Sequence, residues 1–159
     1  MTTAQRIKVQ PTWDATKVRE GAALVAINNL LAAFPVIEKF GPDAIKQYEE
    51  NWTNNKLDYI KRFNPKTPLD LVKLTAEFEA NVFGSVLTYW GDEKSATYSY
   101  EVCGCFNAAK ESGKFDPEFG EKLSKFFESS TQRIAKHFGY TATVEHEGEQ
   151  HFPVITFTK

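Results

Sequence analysis

The sequence predicts an α+β domain with a helical N-terminal half, followed by an antiparallel sheet of about four strands from two hairpins with a helix between them. Apolar residues recur at helical spacing as far as Val82, and segments rich in Thr, Tyr and Val then alternate around turn residues. A chain of 159 residues is long enough for one well-buried core and short for two. We therefore expect a single domain over residues 1–159, with residues 1–13 as an extended arm.

The first predicted helix begins at Ala15, with Asp14 as its N-terminal cap, and ends where Pro35 interrupts the pattern. Apolar residues cover most faces of its second half, so we expect this half to be buried. That would leave Asn28 and Asn29 near the core or a cavity. The alternative is that one amide faces solvent and the other bonds locally. The apolar stripe of this helix is Leu24, Ile27, Leu31 and Phe34.

Two further helices have clear starting signals. Gly41-Pro42 opens the second helix, and Thr67 caps a third that has Pro68 at its first position. The second carries an aromatic stripe, which core packing explains without a ligand: Ile45, Tyr48, Trp52, Tyr59 and Phe63. The third directs Leu71, Leu74, Phe78 and Val82 inward. Glu79 shares a stripe with Val72, Thr75 and Val82, so it can point partly inward, although a solvated helix edge is the commoner position for a glutamate.

The second half of the chain predicts two hairpins. Val86–Trp90 and Ala96–Cys105 flank the polar turn 91–94, and strand alternation puts Tyr98 and Tyr100 on the face opposite Glu101, Cys103 and Cys105. A helix then starts at Asp116-Pro117 and closes at Gly139. At the end of the chain, a type II′ turn at Gly148-Glu149 would set His146 across from His151.

Composition limits the function classes. The formal net charge is -2 and the lysines are interleaved with acids, so a nucleic-acid groove is not expected. The N-terminus lacks the apolar segment of a secretory signal, and the longest apolar stretch, 22–34, is shorter than a membrane span. Two cysteines one residue apart make a poor structural disulfide. We therefore expect a cytoplasmic protein, without membrane or nucleic-acid partners, that acts on a small molecule; a homodimer formed through exposed aromatic side chains is a further expectation.

The Cys103-Gly104-Cys105 segment is the strongest indication of chemical function in the sequence. A cysteine becomes a nucleophile when a base or cation favours its thiolate, and His137 and His146 are the candidate bases for Cys103. The alternative is a pair of small, buried, inert thiols. Cys103, Cys105, His146 and His151 could also supply two sulfurs and two nitrogens to zinc, but the one-residue cysteine gap is unlike known zinc sites, so neither a metal nor a cofactor is expected. The candidate substrate-binding residues are Asn28, Asn29, Trp52, Tyr98, Tyr100, Cys105 and His151.

The order of these features resembles a known family. Gly41-Pro-Asp-Ala44 lies in the helical half, the second strand of a hairpin ends in Glu101-Val-Cys-Gly-Cys-Phe106, and a capped helix precedes Phe152-Pro-Val-Ile-Thr-Phe157. This arrangement is similar to the L-2-amino-thiazoline-4-carboxylic acid hydrolases, which open a small heterocycle of sulfur and nitrogen. The resemblance implies that Cys103 is the nucleophile or a polar wall of the pocket, with His137 or His146 as the base.

Three functions follow from these observations. The first is a small hydrolase or lyase that acts on a compact heterocyclic or aromatic molecule in an aromatic-lined pocket, using Cys103 and a histidine. The second is a non-catalytic module that encloses a small ligand among its aromatic side chains. The third is a metal or redox protein that uses the paired cysteines.

Overall fold

The structure is a computed structural model that describes residues 13–113, 115–147 and 152–159. The predicted N-terminal arm, apart from Trp13, and the predicted turn at Gly148-Glu149 lie outside these residues. The α+β prediction is confirmed, with helices filling the N-terminal half and four strands forming one antiparallel sheet. The elements are α1 (Ala15–Glu38), α2 (Pro42–Lys61), α3 (Pro68–Phe83), β1 (Val86–Gly91), β2 (Ser95–Val102), α4 (Gly104–Glu111), α5 (Pro117–His137), β3 (Thr141–Glu147) and β4 (Phe152–Thr158).

Helix starts follow the local capping signals. The carboxylate of Asp14 accepts a hydrogen bond from the backbone N–H of Lys17, and that of Asp116 accepts one from Phe119. Thr67 and Asp70 form a reciprocal capping box at α3. These bonds satisfy amides that have no partner within the helix, so each predicted start is confirmed.

Helix α1 continues past Pro35 to Glu38, so its predicted end was wrong. Pro35 is exposed, and the carbonyl that loses its amide partner can be hydrated there. The buried stripe is Ala23, Ile27, Leu30 and Phe34, whereas Leu24 is exposed. By length and composition alone, α1 is the one helix among the described residues that could cross a membrane.

The sheet has the order β1-β2-β4-β3, and helices cover one of its faces. Helix α3 packs on β1 and β2, and α5 packs on β3. The register pairs Val144 with Ile155 and Ala142 with Phe157, which keeps the apolar side chains on the helix-covered face. The same register pairs His146 with Pro153, so the expected pairing of His146 with His151 was wrong.

Strand β2 ends at Val102, and a helix that the sequence pattern did not predict, α4, begins at Gly104. Cys103 is the N-terminal cap residue of α4 and Cys105 lies in its first turn. The predicted strand over Ala96–Cys105 was therefore three residues too long. Because the chain leaves the sheet before Cys103, strand alternation no longer decides which way the thiols face.

Two apolar cores hold the elements together. The first lies between the sheet and helices α2, α3 and α5, and it includes Leu57, Leu71, Val72, Tyr98, Ile134 and Phe157. The second lies between α1, α4 and α5, and it includes Ala23, Ile27, Leu30, Ala108, Ala109 and Leu123. Trp52 of α2 is partly buried against the second core, whereas Tyr59 and, just past the end of the helix, Phe63 are exposed, so only part of the predicted aromatic stripe faces inward.

Candidate functional site

The glycine between the two cysteines determines where they lie. A Cβ atom on Gly104 would stand 1.8 Å from the carbonyl oxygen of Phe83, the last residue of α3. Only glycine, which has no Cβ, allows the start of α4 to approach the end of α3 this closely. The contact carries Cys103 and Cys105 to the end of α3, where Glu79 lies.

A short hydrogen-bond chain fixes this junction. The backbone N–H of Gly104 donates to the Oγ of Ser85 at 3.1 Å, and that hydroxyl donates to Oε2 of Glu79 at 3.5 Å. Ser85 is buried, and its own N–H donates to the carbonyl oxygen of Glu79. Ser85, in the segment that links α3 to β1, thus holds the Glu79 side chain in place.

Seven polar side chains, from four elements and two connecting segments, surround this hydrogen-bond chain. We call them the Glu79 site: Lys56 of α2, Glu79 of α3, Ser85, Tyr98 and Tyr100 of β2, Cys103, and Cys105 of α4. Tyr98 belongs to the first apolar core and Cys105 packs against the second. The Glu79 site therefore lies where the two apolar cores meet.

Burial dominates the electrostatics of the Glu79 carboxyl. It raises the pKa of Glu79, and the charge of Lys56 together with hydrogen bonds from Ser85 and Tyr100 only partly offsets this effect. Among the described residues, no cation lies within ion-pair distance of Glu79. The neutral acid is accordingly more favourable here than at the protein surface.

The two thiols are also held in their neutral form. Burial raises the pKa of Cys103 to about 11, and the negative charge of Glu79 adds to the effect, while the backbone amides of Phe106 and Cys105 oppose it without forming a regular capping hydrogen bond. Burial, Glu79 and Cys103 together raise the pKa of Cys105 to about 12. Burial likewise raises the pKa of Tyr98 and of Tyr100.

Four of the predicted site residues meet at this site: Tyr98, Tyr100, Cys103 and Cys105. The expectation that the tyrosines lie on the face opposite Cys103 was wrong, because the strand ends at Val102 and the chain turns inward. The sequence pattern indicated that Glu79 can face inward, but it gave no signal for Lys56 or Ser85. Each of these comes from a different element, so only the tertiary fold brings them together.

The other predicted site residues lie elsewhere. His146 is exposed on β3 and contacts the Ser124 hydroxyl of α5 at 3.2 Å. Trp52 packs against Phe126 and Phe127 between α2 and α5. Asn29 is exposed, whereas the Oδ1 atom of Asn28 is buried without a hydrogen-bond partner among the described residues. His151 lies outside the part of the chain that the structure describes.

His137 lines a shallow depression of about 590 Å³ between α2 and α5, away from the thiols. Arg133, at its edge, is already paired with Glu49 and Glu50. The depression is open to solvent, and because Arg133 is paired with two carboxylates, its charge does not mark the depression as a ligand site. In the described part of the chain, no histidine is among the ionisable groups that act on either thiol.

A metal centre finds no support in the described ranges. No group of three or more His, Cys, Asp or Glu side chains within them could hold an ion. Both cysteines are free thiols.

Comparison with known proteins adds little to this site. No family model matches the sequence, and no curated protein matches it. Among solved structures, the chain is similar to an Fe(II) unliganded mutant of the H-NOX protein from K. algicida, with a TM-score of 0.40 and 13% sequence identity. The similarity covers 74% of this chain and 62% of that protein, so the chain spans less than two thirds of its length. A likeness this distant indicates neither a shared family nor a shared ligand.

Proposed function

We propose that this protein binds a compact small molecule at the Glu79 site. The observation that supports this most strongly is the partly buried Glu79 carboxyl, without an ion-pair partner in the described structure, at the junction of two apolar cores. Apolar side chains would stabilise such a junction better, because an unpaired buried carboxylate costs free energy. Titratable groups in such positions are typical of functional sites.

The chemistry of the lining favours a ligand with N–H groups. Ionised Glu79 would accept hydrogen bonds from a cationic or neutral N–H donor, and a ligand cation would lower the carboxyl pKa again. The hydroxyl groups of Tyr98 and Tyr100 can donate or accept. The neutral thiols add a small polarisable wall. A compact nitrogen heterocycle or amine therefore fits best, bound in the cytoplasm, where free thiols stay reduced.

The experiment compares two glutamates of α3. We would measure thermal shifts and calorimetric affinities for a panel of compact nitrogen heterocycles and amines, with carboxylic acids of similar size as controls, against the parent protein, Glu79→Gln and Glu77→Gln. Glu77 is exposed two residues away, and its carboxylate pairs with the surface residue Lys73.

Hydrogen bonds to a charged group contribute about 1.5 to 3 kcal/mol, so we expect Glu79→Gln to weaken binding by roughly tenfold or more. Glu77→Gln should bind as the parent does. Equal affinity in the Glu79→Gln variant would contradict the proposal. So would a panel in which carboxylic acids bind best.

A second candidate is a hydrolase or lyase in which Glu79, rather than a thiol, moves the proton. The raised pKa of Glu79 favours it, because a general acid or base works best when its pKa lies near the working pH. Mass spectrometry of the same ligands after incubation tests this candidate. Turnover that survives Cys103→Ala but is lost in Glu79→Gln would support it; turnover lost in Cys103→Ala alone would instead restore the predicted cysteine nucleophile.

A further inference from the structure

Helix α1 has an exposed face without charge. The stretch from Gly21 to Ile37 contains no Asp, Glu, Lys or Arg. One side of it is buried in the second core. The opposite side, which we call the α1 outer face, consists of Val18, Gly21, Val25, Asn28, Ala32 and Val36. Its three valines are 52%, 62% and 52% exposed, so apolar surface remains open along the helix.

The spacing along this face suits another helix. Val18, Val25 and Ala32 are seven residues apart, as are Gly21 and Asn28. A seven-residue repeat of this kind is the pattern by which two helices pack along a common seam. Ala32 is small enough to let the two backbones approach closely, whereas at Gly21 the Trp13 ring packs over the helix and would itself join the interface.

We propose that α1 packs antiparallel against α1 of a second copy of this chain, with a two-fold axis near Asn28. Asn28 lies at the middle of the face, one residue from the midpoint between Val18 and Val36. Its Oδ1 atom is buried within the protomer and lacks a hydrogen-bond partner among the described residues. About a two-fold axis the two Asn28 residues face each other, and a side-chain rotation that turns the buried oxygen outward lets each amide donate to the oxygen of the other.

The available surface is sufficient. Trp13 and Phe40, at the two ends of α1, are 59% and 77% exposed, and Leu24 is 42% exposed beside the outer face. With the three valines they leave on the order of 600 Å² of apolar side-chain surface open. A standard interface buries about 800 Å² per partner, a little over half of it apolar. Antiparallel packing also places the positive end of each helix dipole beside the negative end of the other, which is electrostatically favourable.

A second copy fits this face better than a membrane does. Inserting α1 into a bilayer would expose its other side, which the second core buries: Ala23, Ile27, Leu30 and Phe34. Helices that lie on membranes carry Lys and Arg beside their apolar face, but Gly21–Ile37 has neither.

The oligomeric state tests the proposal. We expect the parent protein to sediment as a dimer at concentrations of about 10 to 100 μM, and Val25→Arg to sediment as a monomer with unchanged circular dichroism. Val86→Arg places the same charge on a comparably exposed valine of β1 and should remain dimeric. A monomeric parent, or a dimeric Val25→Arg, would overturn the proposal. Binding to vesicles of phosphatidylcholine and phosphatidylglycerol is the second measurement. A monomeric parent that binds these vesicles, and loses this binding in Val25→Arg, would overturn the proposal and show that the α1 outer face contacts a membrane.

Disulfide cross-linking tests the geometry. In a Cys103→Ser, Cys105→Ser background, oxidation of Asn28→Cys should give a covalent dimer, because the two positions meet at the axis. The two copies of Val18→Cys would lie roughly 30 Å apart in an antiparallel pair, at 1.5 Å per residue, and should remain monomeric on a non-reducing gel. Equal cross-linking of both variants would contradict the antiparallel arrangement.

Discussion

The reactivity of Cys103 and Cys105 depends on their surroundings more than on their spacing. Nucleophilic attack needs a thiolate, and burial together with Glu79 holds both groups in the neutral form. The Glu79 carboxyl, which we propose as the partner of a ligand N–H group, also disfavours both thiolates. At this scale, the surroundings of the thiols favour inert cysteines over a cysteine nucleophile.

We therefore predict slow alkylation of the native thiols. With its pKa at about 11 rather than 9.0, Cys103 carries roughly 100-fold less thiolate at pH 7.5, and the reaction with iodoacetamide should slow in proportion. The rate should keep rising with pH beyond pH 9. Protein unfolded in guanidinium provides the control, because both thiols should then react as free cysteine does. A native thiol that reacts rapidly at pH 7, with a rate that levels off below pH 8, would support the nucleophile hypothesis instead.

At the scale of elements, the junction of α3, β2 and α4 is the structural basis of the Glu79 site. Strand β2 leaves the sheet at Val102, opposite the first residue of β1, and the chain turns into α4 across the end of α3. Gly104 permits this turn because nothing larger fits against the Phe83 carbonyl. The first role of the Cys-Gly-Cys segment is thus to let the start of α4 pack against the end of α3.

Gly104→Ala should destabilise the protein by about 2 to 3 kcal/mol, since the new methyl group overpacks a rigid backbone contact. Denaturant unfolding would measure the change. Gly21→Ala provides the matched control, because its Cβ meets only the Trp13 ring, at an ordinary 3.5 Å, and alanine favours a helix by about 0.5 to 1 kcal/mol. Both variants are compared in the Val25→Arg background, because Gly21 lies on the proposed dimer face. An unchanged unfolding midpoint in Gly104→Ala would show that α4 can shift away from α3.

At the scale of the whole molecule, polar contacts join helices that are distant in sequence. The hydroxyl of Thr53 on α2 donates to the Ser130 hydroxyl on α5 at 2.9 Å, and both residues are buried. Beside this pair, Arg133 binds Glu49 and Glu50. These contacts fix α2 against α5, and Lys56 of the Glu79 site lies on α2.

A double-mutant cycle would measure this coupling. Thr53→Val should cost about 1 to 3 kcal/mol, because it leaves the buried Ser130 hydroxyl without a partner, and adding Ser130→Ala should recover about 1 kcal/mol. Thr97 and Thr156 form a similar hydroxyl pair on the more open face of the sheet, at 2.8 Å, where we expect weaker coupling. Strictly additive effects at Thr53 and Ser130 would mean that the pair does not help to hold the two helices together.

Much of the fold could be predicted because its signals are local. Asp14, Thr67 and Asp116 cap helices through amides three residues away, and Gly139 ends α5 with the positive φ that glycine readily adopts. The alternation that indicated β1 and β2 also spans only a few residues. Interactions of this range depend on residues close together in the chain, so the element order, apart from α4, could be predicted from the sequence.

The candidate site depended on contacts that no short pattern contains. The end of β2, the pairing of His146 with Pro153 and the meeting of Lys56, Glu79 and Cys105 all arise between residues far apart in the chain. The sequence by itself determined the helices and strands other than α4, because capping and periodicity act within one or two turns. Only the tertiary structure decided which polar groups share a buried site, because burial and the charges of distant neighbours set their pKa values.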